Sequence, residues 1–255
     1  MKRIFRCIYI LIVLLFLYMP VFTLMVFSFN KSKTMAHWSG FTLDWYREMM
    51  GSRMIMGAVK NTLLIALVSA AVATLIGTLA CIGLSKMKGK PRKIFLGLNN
   101  IPLLNADIVI GISLMMTFLA FGVSLSMGTV LFSHITFCIP YVILSVMPKF
   151  RELSPNIYEA ALDLGAGPVY AFRKVVMPDI RPGIVAGFLL SFTMSVDDFV
   201  VTHFTRGAGV NTISTLIYSQ VKVGVRPTLF ALSTIIFIVV FAVLLVVNII
   251  SRRNQ

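Results

Sequence analysis

Six stretches of this chain are each long and apolar enough to cross a bilayer, and that constrains its fold more than any other feature. A spanning helix needs about 20 consecutive, mostly apolar residues. Residues 8–29, 61–84, 101–121, 127–147, 183–202 and 229–250 meet that requirement. With 58% of 255 residues hydrophobic and a mean hydropathy of +0.92, a soluble globule could not hide its apolar surface. The sequence predicts an all-α polytopic membrane protein of six transmembrane helices, one domain over 1–255. Within it, 1–56 hold the first span and an external loop, 57–250 the core, and 148–182 a cytoplasmic loop.

The first stretch has the basic start of a signal peptide in Lys2, Arg3 and Arg6. Its apolar run exceeds the roughly 7–15 residues of a signal core, however, and it ends in Ser28-Phe29-Asn30-Lys31 without a small-residue cleavage site. It reads as a retained span.

The net charge of +14 does not indicate nucleic acid, because the cations lie in loops, where they hold those loops inside the cell. Lys86, Lys88, Lys90, Arg92 and Lys93 follow the second span with no acid among them. That loop is expected to be cytoplasmic, and so, by parity, are the N-terminus and Arg252-Arg253. The uncharged connection after the third span suits the outside. Lys31, Lys33, Arg47, Arg53 and Lys60 in the first external loop run against the pattern, but the denser cytoplasmic cluster decides for N-in, C-in. Cys7, Cys81 and Cys138 lack metal-ligand spacing and read as small buried residues.

Three polar features need more than a plain bundle. In the external loop, Thr42 is positioned to cap a short helix carrying Trp45 and Tyr46, aromatics suited to the lipid headgroup level. Around the third span, Asn99, Asn100, Pro102, Asn105 and Asp107 predict a broken helix. A continuous helix over 94–121 would run about 40 Å against a core of roughly 30 Å. Irregular backbone at membrane depth survives only where it packs in protein or lines a cavity. The break is expected at Pro102, with Asp107 capping the half-helix 108–121, lining the pathway, or both.

The third feature is acidity. Asp107, Asp197 and Asp198 fall within spans, where an acid costs about 2.5–3.5 kcal/mol at the helix centre. Neighbours on a helix diverge by about 100°, so at most one of Asp197 and Asp198 faces a path directly. No Lys or Arg lies mid-span, and His134 reads first as a hydrogen-bonded core residue. Acids without internal partners point to a cation passing them.

The loop 148–182 carries the strongest local signal. Ser154-Pro155 starts a helix with Pro at its first position. Ile157, Ala160, Ala161 and Leu164 repeat at helical spacing, and Gly165 supplies the left-handed C-terminal turn. Gly167-Pro168 opens a second helix, which Pro178 is expected to close. Two short helices around a sharp bend result. The low bulk of Ala160 and Ala161 lets another protein come close.

Glu159-Ala160-Ala161, Gly165 and, after nine intervening residues, Val175-Val176-Met177-Pro178 resemble the EAA loop of binding-protein-dependent ABC importers of the MetI-like fold. The family prefers Ile at Val175 and Leu at Met177, both conservative departures. The resemblance implies that 159–165 form a coupling helix seated on a separate ATPase, with Glu159, Ala160, Ala161, Gly165 and Pro178 as the coupling residues. The chain has no Gly-x-x-x-x-Gly-Lys-[Ser/Thr] phosphate loop, so it is expected to be non-catalytic. No cofactor is expected on it, ATP and Mg belonging to the ATPase.

The stretches 107–109, 131–138, 190–198 and 217–225 resemble permeases of spermidine/putrescine importers. That resemblance implies polyamine cargo passing Asp107, Asp197 and Asp198 in a bacterial cytoplasmic membrane. It implies as partners two ATPase copies, a second permease and an extracytoplasmic binding protein, which loops 30–60 and 203–227 would contact. Another cation or small organic solute fits the same chemistry. An ion-driven secondary transporter would share acids and broken helices but would not need the 159–178 loop. Nothing resembles a repeated channel filter, and His37, His134 and His203 are too scattered for an enzyme site.

Overall fold

The computed structural model describes residues 2–33, 37–153 and 155–253, with side chains described for 5–33, 37–153 and 157–242. Two compact units emerge: Met1–Met56 with Leu216–Gln255, and Gly57–Thr215.

In the larger unit, helix α3 (Arg53–Lys86, whose first turn belongs to the other unit) and helix α6 (Met127–Glu152) share the core. Ala73, Cys81 and Leu84 of α3 meet Cys138, Val142, Ile143, Val146 and Met147 of α6. The helices approach closely at Gly77, where a Cβ would lie 2.7 Å from Val142 Cγ1. Helix α6 also receives α9 (Met177–Asp197) through Gly183 and Gly187. A Cβ at Gly183 would stand 3.0 Å from the Ser145 carbonyl, and one at Gly187 3.2 Å from Val142 Cα. Small residues four apart allow backbone-to-backbone packing where lipid offers no hydrophobic drive between helices. Fully buried Val142 thus sits between two glycine seams.

The third span is broken. Helices α4 (Gly89–Leu104) and α5 (Asp107–Ala120) meet at 106°. The break is not at Pro102, which α4 contains. The helical ladder continues past it, with Asn105 N–H donating to the Ile101 carbonyl. The chain turns where Asn105 and Ala106 become extended, with ψ of 150° and 138°. Asp107 is likewise not the cap: Ala106 holds that position, and Asp107 begins the first turn without a capping bond. It still favours the positive end of the helix dipole.

Helix α7 (Pro155–Asp163) begins at proline as expected, while Ser154 lies outside the described residues. Pro178 does not close the second loop helix. Helix α8 (Pro168–Ala171) runs through a π turn at Phe172–Val176 straight into α9, making one span of Pro168–Asp197. Pro178 sits at the start of α9, where a missing N–H is cheap, because the π turn has just shifted the bonding ladder, with Met177 N–H donating to Phe172 O. The loop is one short helix joined to the end of a span. Beyond it, α10 (Val200–Thr205) follows an interruption at Asp198 and Phe199, and α11 covers Ile213–Val223.

The smaller unit packs α1 (Lys2–Phe27) and α2 (Asp44–Gly51) on α12 (Pro227–Arg253). Buried Asn30 organises the linking loop: its amide donates to His37 O at 2.8 Å, and its Oδ1 accepts from Ser39 N at 2.9 Å. The expected headgroup aromatics are engaged here: Trp45 Nε1 donates to Asn30 O at 2.8 Å, and Tyr46 Oη lies 2.7 Å from Ser28 Oγ. Thr42 assists α2 from one residue earlier than a cap, accepting from Asp44 N at 3.1 Å, with Leu43 as the cap residue. Arg53 and Lys60 belong to α3, so the loop after the first span is shorter than expected. Cys81 and Cys138 are buried but Cys7 is exposed, correcting the expectation for it.

Among the described residues, four helices are long and apolar enough to span a membrane, five if the bent pair is counted as one span. The expected last span lies in α12, whose described apolar part is Pro227–Ala242.

Candidate functional site

Two polar constructions stand out. The first is the elbow between α7 and α8. Helix α7 ends in a Schellman motif: Ala166 N–H donates to Ala161 O at 3.1 Å and Gly165 N–H to Leu162 O at 2.9 Å. Gly165 has φ +85°, a left-handed conformation that costs a residue with a Cβ about 1–2 kcal/mol. Pro168 then starts α8 with Gly167 as cap. Buried Ala171 and Val176 fix the base of the elbow, while its tip is open. Glu159 and Ala160 are exposed, and Leu164 and Val169 stand 89% and 81% accessible. Leu164 and Val169 are thus held outward on a firmly bonded backbone.

The second construction lies where α9 stops. Asp198 leaves the helix with ψ 128° and turns its carboxylate back onto α10. Oδ1 accepts from Val201 N at 3.2 Å, and Oδ2 accepts from Thr202 N and Thr202 Oγ1, both at 2.8 Å. His134 of α6, 1% exposed, closes the cluster. Its Nε2 lies 2.9 Å from Thr202 Oγ1 and 3.4 Å from Asp198 Oδ2, and its Nδ1 lies 2.7 Å from Ser195 Oγ. Thr202 gives its hydroxyl proton to Asp198, so its oxygen must accept from Nε2–H. Nδ1 is then free to accept from Ser195. One ring proton thus satisfies the whole chain Ser195–His134–Thr202–Asp198. The cluster ties α6 to both sides of the interruption.

Asp198 therefore has internal partners, contrary to the expectation that the acids have none, and its side chain is only 8% exposed. Asp197, one residue earlier, is exposed, as is Asp107. The two interruptions lie side by side. Gly111 of α5 packs on α10, where a Cβ would be 3.4 Å from both Val200 O and Val201 Cα. Asp107 is about one turn before Gly111.

Residues 73–255 match the family described as "Binding-protein-dependent transport system inner membrane component". The chain belongs to that family. It is a multi-pass permease subunit of an ABC importer, located in the inner membrane. The permease is 37% identical over 237 residues to the spermidine/putrescine transport system permease protein PotC of Escherichia coli K12, covering 93% of this chain and 90% of that one. It is 34% identical to the Haemophilus influenzae PotC, with both chains covered in full. The E. coli putrescine transport system permease protein PotI is 36% identical, over 91% of this chain and 85% of its own.

Solved structures carry the fold at low identity. The permease superposes on a chain of a bacterial ABC transporter importing the acidic polysaccharide alginate with a TM-score of 0.74 at 15% identity, covering 100% and 96% of the two chains. An inward-facing MetNI methionine transporter gives 0.65 at 19% identity, over 82% of this chain and 98% of that one. Membership implies an ATPase, a binding protein and a second permease as partners.

Sequence reasoning picked out Asp198 and His134 but missed Ser195 and Thr202. The available signal was spacing: Ser195 lies one turn before Asp198 and Thr202 one turn after it. Among the described residues, no group of three or more His, Cys, Asp or Glu is arranged to hold a metal.

Proposed function

We propose that this permease moves polyamines, spermidine or putrescine, and forms half of the translocation pathway. The carrying observation is the pair of exposed carboxylates, Asp107 and Asp197, at adjacent breaks in two spans, neither ion-paired among the described residues. A flexible chain of ammonium groups matches separated carboxylates. The names of the PotC and PotI relatives support the same cargo. Asp198 serves this pathway from behind, as the buried anchor of the break that leaves Asp197 outward.

The partners in this reading are two copies of a PotA-like ATPase holding ATP and Mg, a PotB-like second permease, and a PotD-like extracytoplasmic polyamine-binding protein. Non-catalytic itself, the chain couples to the ATPase through Glu159, Ala160, Ala161 and Gly165. Pro178 marks where that motion enters α9. The elbow faces the cytoplasm in an N-in, C-in arrangement. Binding to the pathway acids is weak enough to release cargo.

The test is uptake of labelled spermidine and putrescine by the reconstituted complex, against competing amino acids and divalent metals. Saturable, ATP-dependent polyamine uptake that the competitors leave intact is expected. Preferential uptake of a metal or an amino acid would replace the cargo assignment and leave the importer assignment standing.

A further inference from the structure

Behind the coupling elbow lies a groove of about 700 Å³, enclosed by the ends of α3 and α6, by α7 and by the start of the Pro168–Asp197 span. Its volume is in the range of small-molecule sites. Its walls are apolar: Phe150 and Leu153 from α6, Phe172 and Val176 from the π turn. Its rim is cationic. Lys86 closes the 34-residue α3 and Lys88 follows, both exposed and both lining the groove. Neither is in an ion pair among the described residues. Glu159 is the one acid on the rim, so two lysines against one carboxylate leave a net charge of +1.

The groove's depth in the bilayer follows from the helices that make it. Lys86 ends α3, so the rim lies at the headgroup layer. Ile82, one turn before Lys86, and Val176, one turn into the next span from Phe172, carry the apolar lining from the rim toward the bilayer. A soluble anion has no use for four apolar walls, and a neutral lipid none for the lysines. Basic pockets between spans at this level hold anionic head groups.

We propose that this groove is a binding site for an anionic phospholipid. Lys86 and Lys88 hold its phosphodiester, whose single charge balances the rim, and an acyl chain lies along Phe150, Leu153, Phe172 and Val176. The lipid backs the elbow against the ends of α3 and α6. Motion delivered at Glu159 then reaches α9 through a filled joint. The binding site stands whatever the cargo, and only its effect on coupling rests on the elbow reading above.

The complete transporter complex, purified from membranes containing phosphatidylglycerol, is examined by native mass spectrometry as wild type, as Lys86→Gln/Lys88→Gln, as Lys90→Gln/Lys93→Gln and as Leu153→Trp. The first pair is expected to retain roughly thirty-fold less phosphatidylglycerol, since each lysine at an anionic surface contributes a factor of about five. Leu153→Trp, which fills the groove and keeps both lysines, should lose the lipid as well. Lys90→Gln/Lys93→Gln should keep it, although it removes the same charge from the same loop. Equal retention in wild type and the Lys86/Lys88 variant overturns the proposal, as does equal loss in the Lys90/Lys93 variant, which would mean general surface attraction.

In nanodiscs, ATPase stimulation by the loaded binding protein should fall several-fold when an equal mixture of phosphatidylglycerol and phosphatidylcholine is replaced by phosphatidylcholine alone. Added glycerol phosphate should not restore it. Restoration would assign the groove to a soluble phosphate, and loss of the ATPase subunit from the Lys86/Lys88 variant in both lipids would assign it to that protein. Either result overturns the lipid.

Discussion

The elbow at Glu159–Val169 and the cluster at His134 solve opposite problems with the same chain. The tip of the elbow keeps its shape by backbone bonds, through the Schellman turn at Gly165 and the Pro168 start, and leaves Leu164 and Val169 open. The cluster keeps its shape through side chains, with Ser195, His134, Thr202 and the Asp198 carboxylate holding an interrupted backbone at membrane depth. A surface that must meet a separate protein cannot use its side chains for internal fastening. A break that must survive without water has to. Substitutions should therefore separate the two regions: shape lost without stability at the elbow, stability lost at the cluster.

The largest effect is expected at Asp198. Asp198→Ala orphans the N–H groups of Val201 and Thr202 and one hydroxyl, a loss of about 3 kcal/mol. Thermal unfolding of the purified complex should show it as a clearly lowered midpoint. His134→Leu should cost about 2 kcal/mol, since interhelical bonds in membranes are individually modest, and His134→Gln should recover part of it by donating to Thr202. An unchanged midpoint in both variants would dissolve the comparison.

Next comes Gly165→Val, which puts a branched side chain at φ +85°. About 2 kcal/mol of local strain should unmake the turn and cut uptake roughly tenfold or more. The unfolding midpoint should stay put because the tip is exposed, and co-purification of the ATPase should fall. Asp197→Asn is expected to act more weakly still, raising the half-saturation concentration for polyamine about tenfold, near 1.4 kcal/mol, with the midpoint unchanged. If Asp197→Asn and Asp198→Ala behaved alike in both assays, the division between outward and anchoring acid would be wrong. The smallest effect is Gly187→Ala: a Cβ 3.2 Å from Val142 Cα asks α9 to move by tenths of an ångström, costing about 1 kcal/mol in the midpoint.

Much of the elbow was legible because its signals are local. Pro155, Gly165 and Pro168 each act through their own backbone preferences, and each stands where those preferences place it. Pro178 was misread because proline's rule depends on the ladder before it, and a π turn cannot be seen in composition. Pro102 was misread for a related reason: its polar neighbours marked the right region, but Asn105 and Ala106 make the break. The His134–Asp198 pairing was hidden because it joins α6 to a residue 64 positions later, beyond the end of α9, so no periodicity carries it. The acidity of the site was plain from cost alone, whereas its partition into a free and a fastened carboxylate needed the fold.

The π turn has one more consequence. It holds one residue more than an α turn, immediately before a segment that Gly183 and Gly187 seat firmly against α6. Were the turn to tighten into α geometry, the surplus residue would swing one side of it by about 100° and shift it by about 1.5 Å. With the far side clamped, the swing would emerge at the elbow, making Phe172–Val176 a swivel on which the docking handle can be reset without disturbing the span beneath.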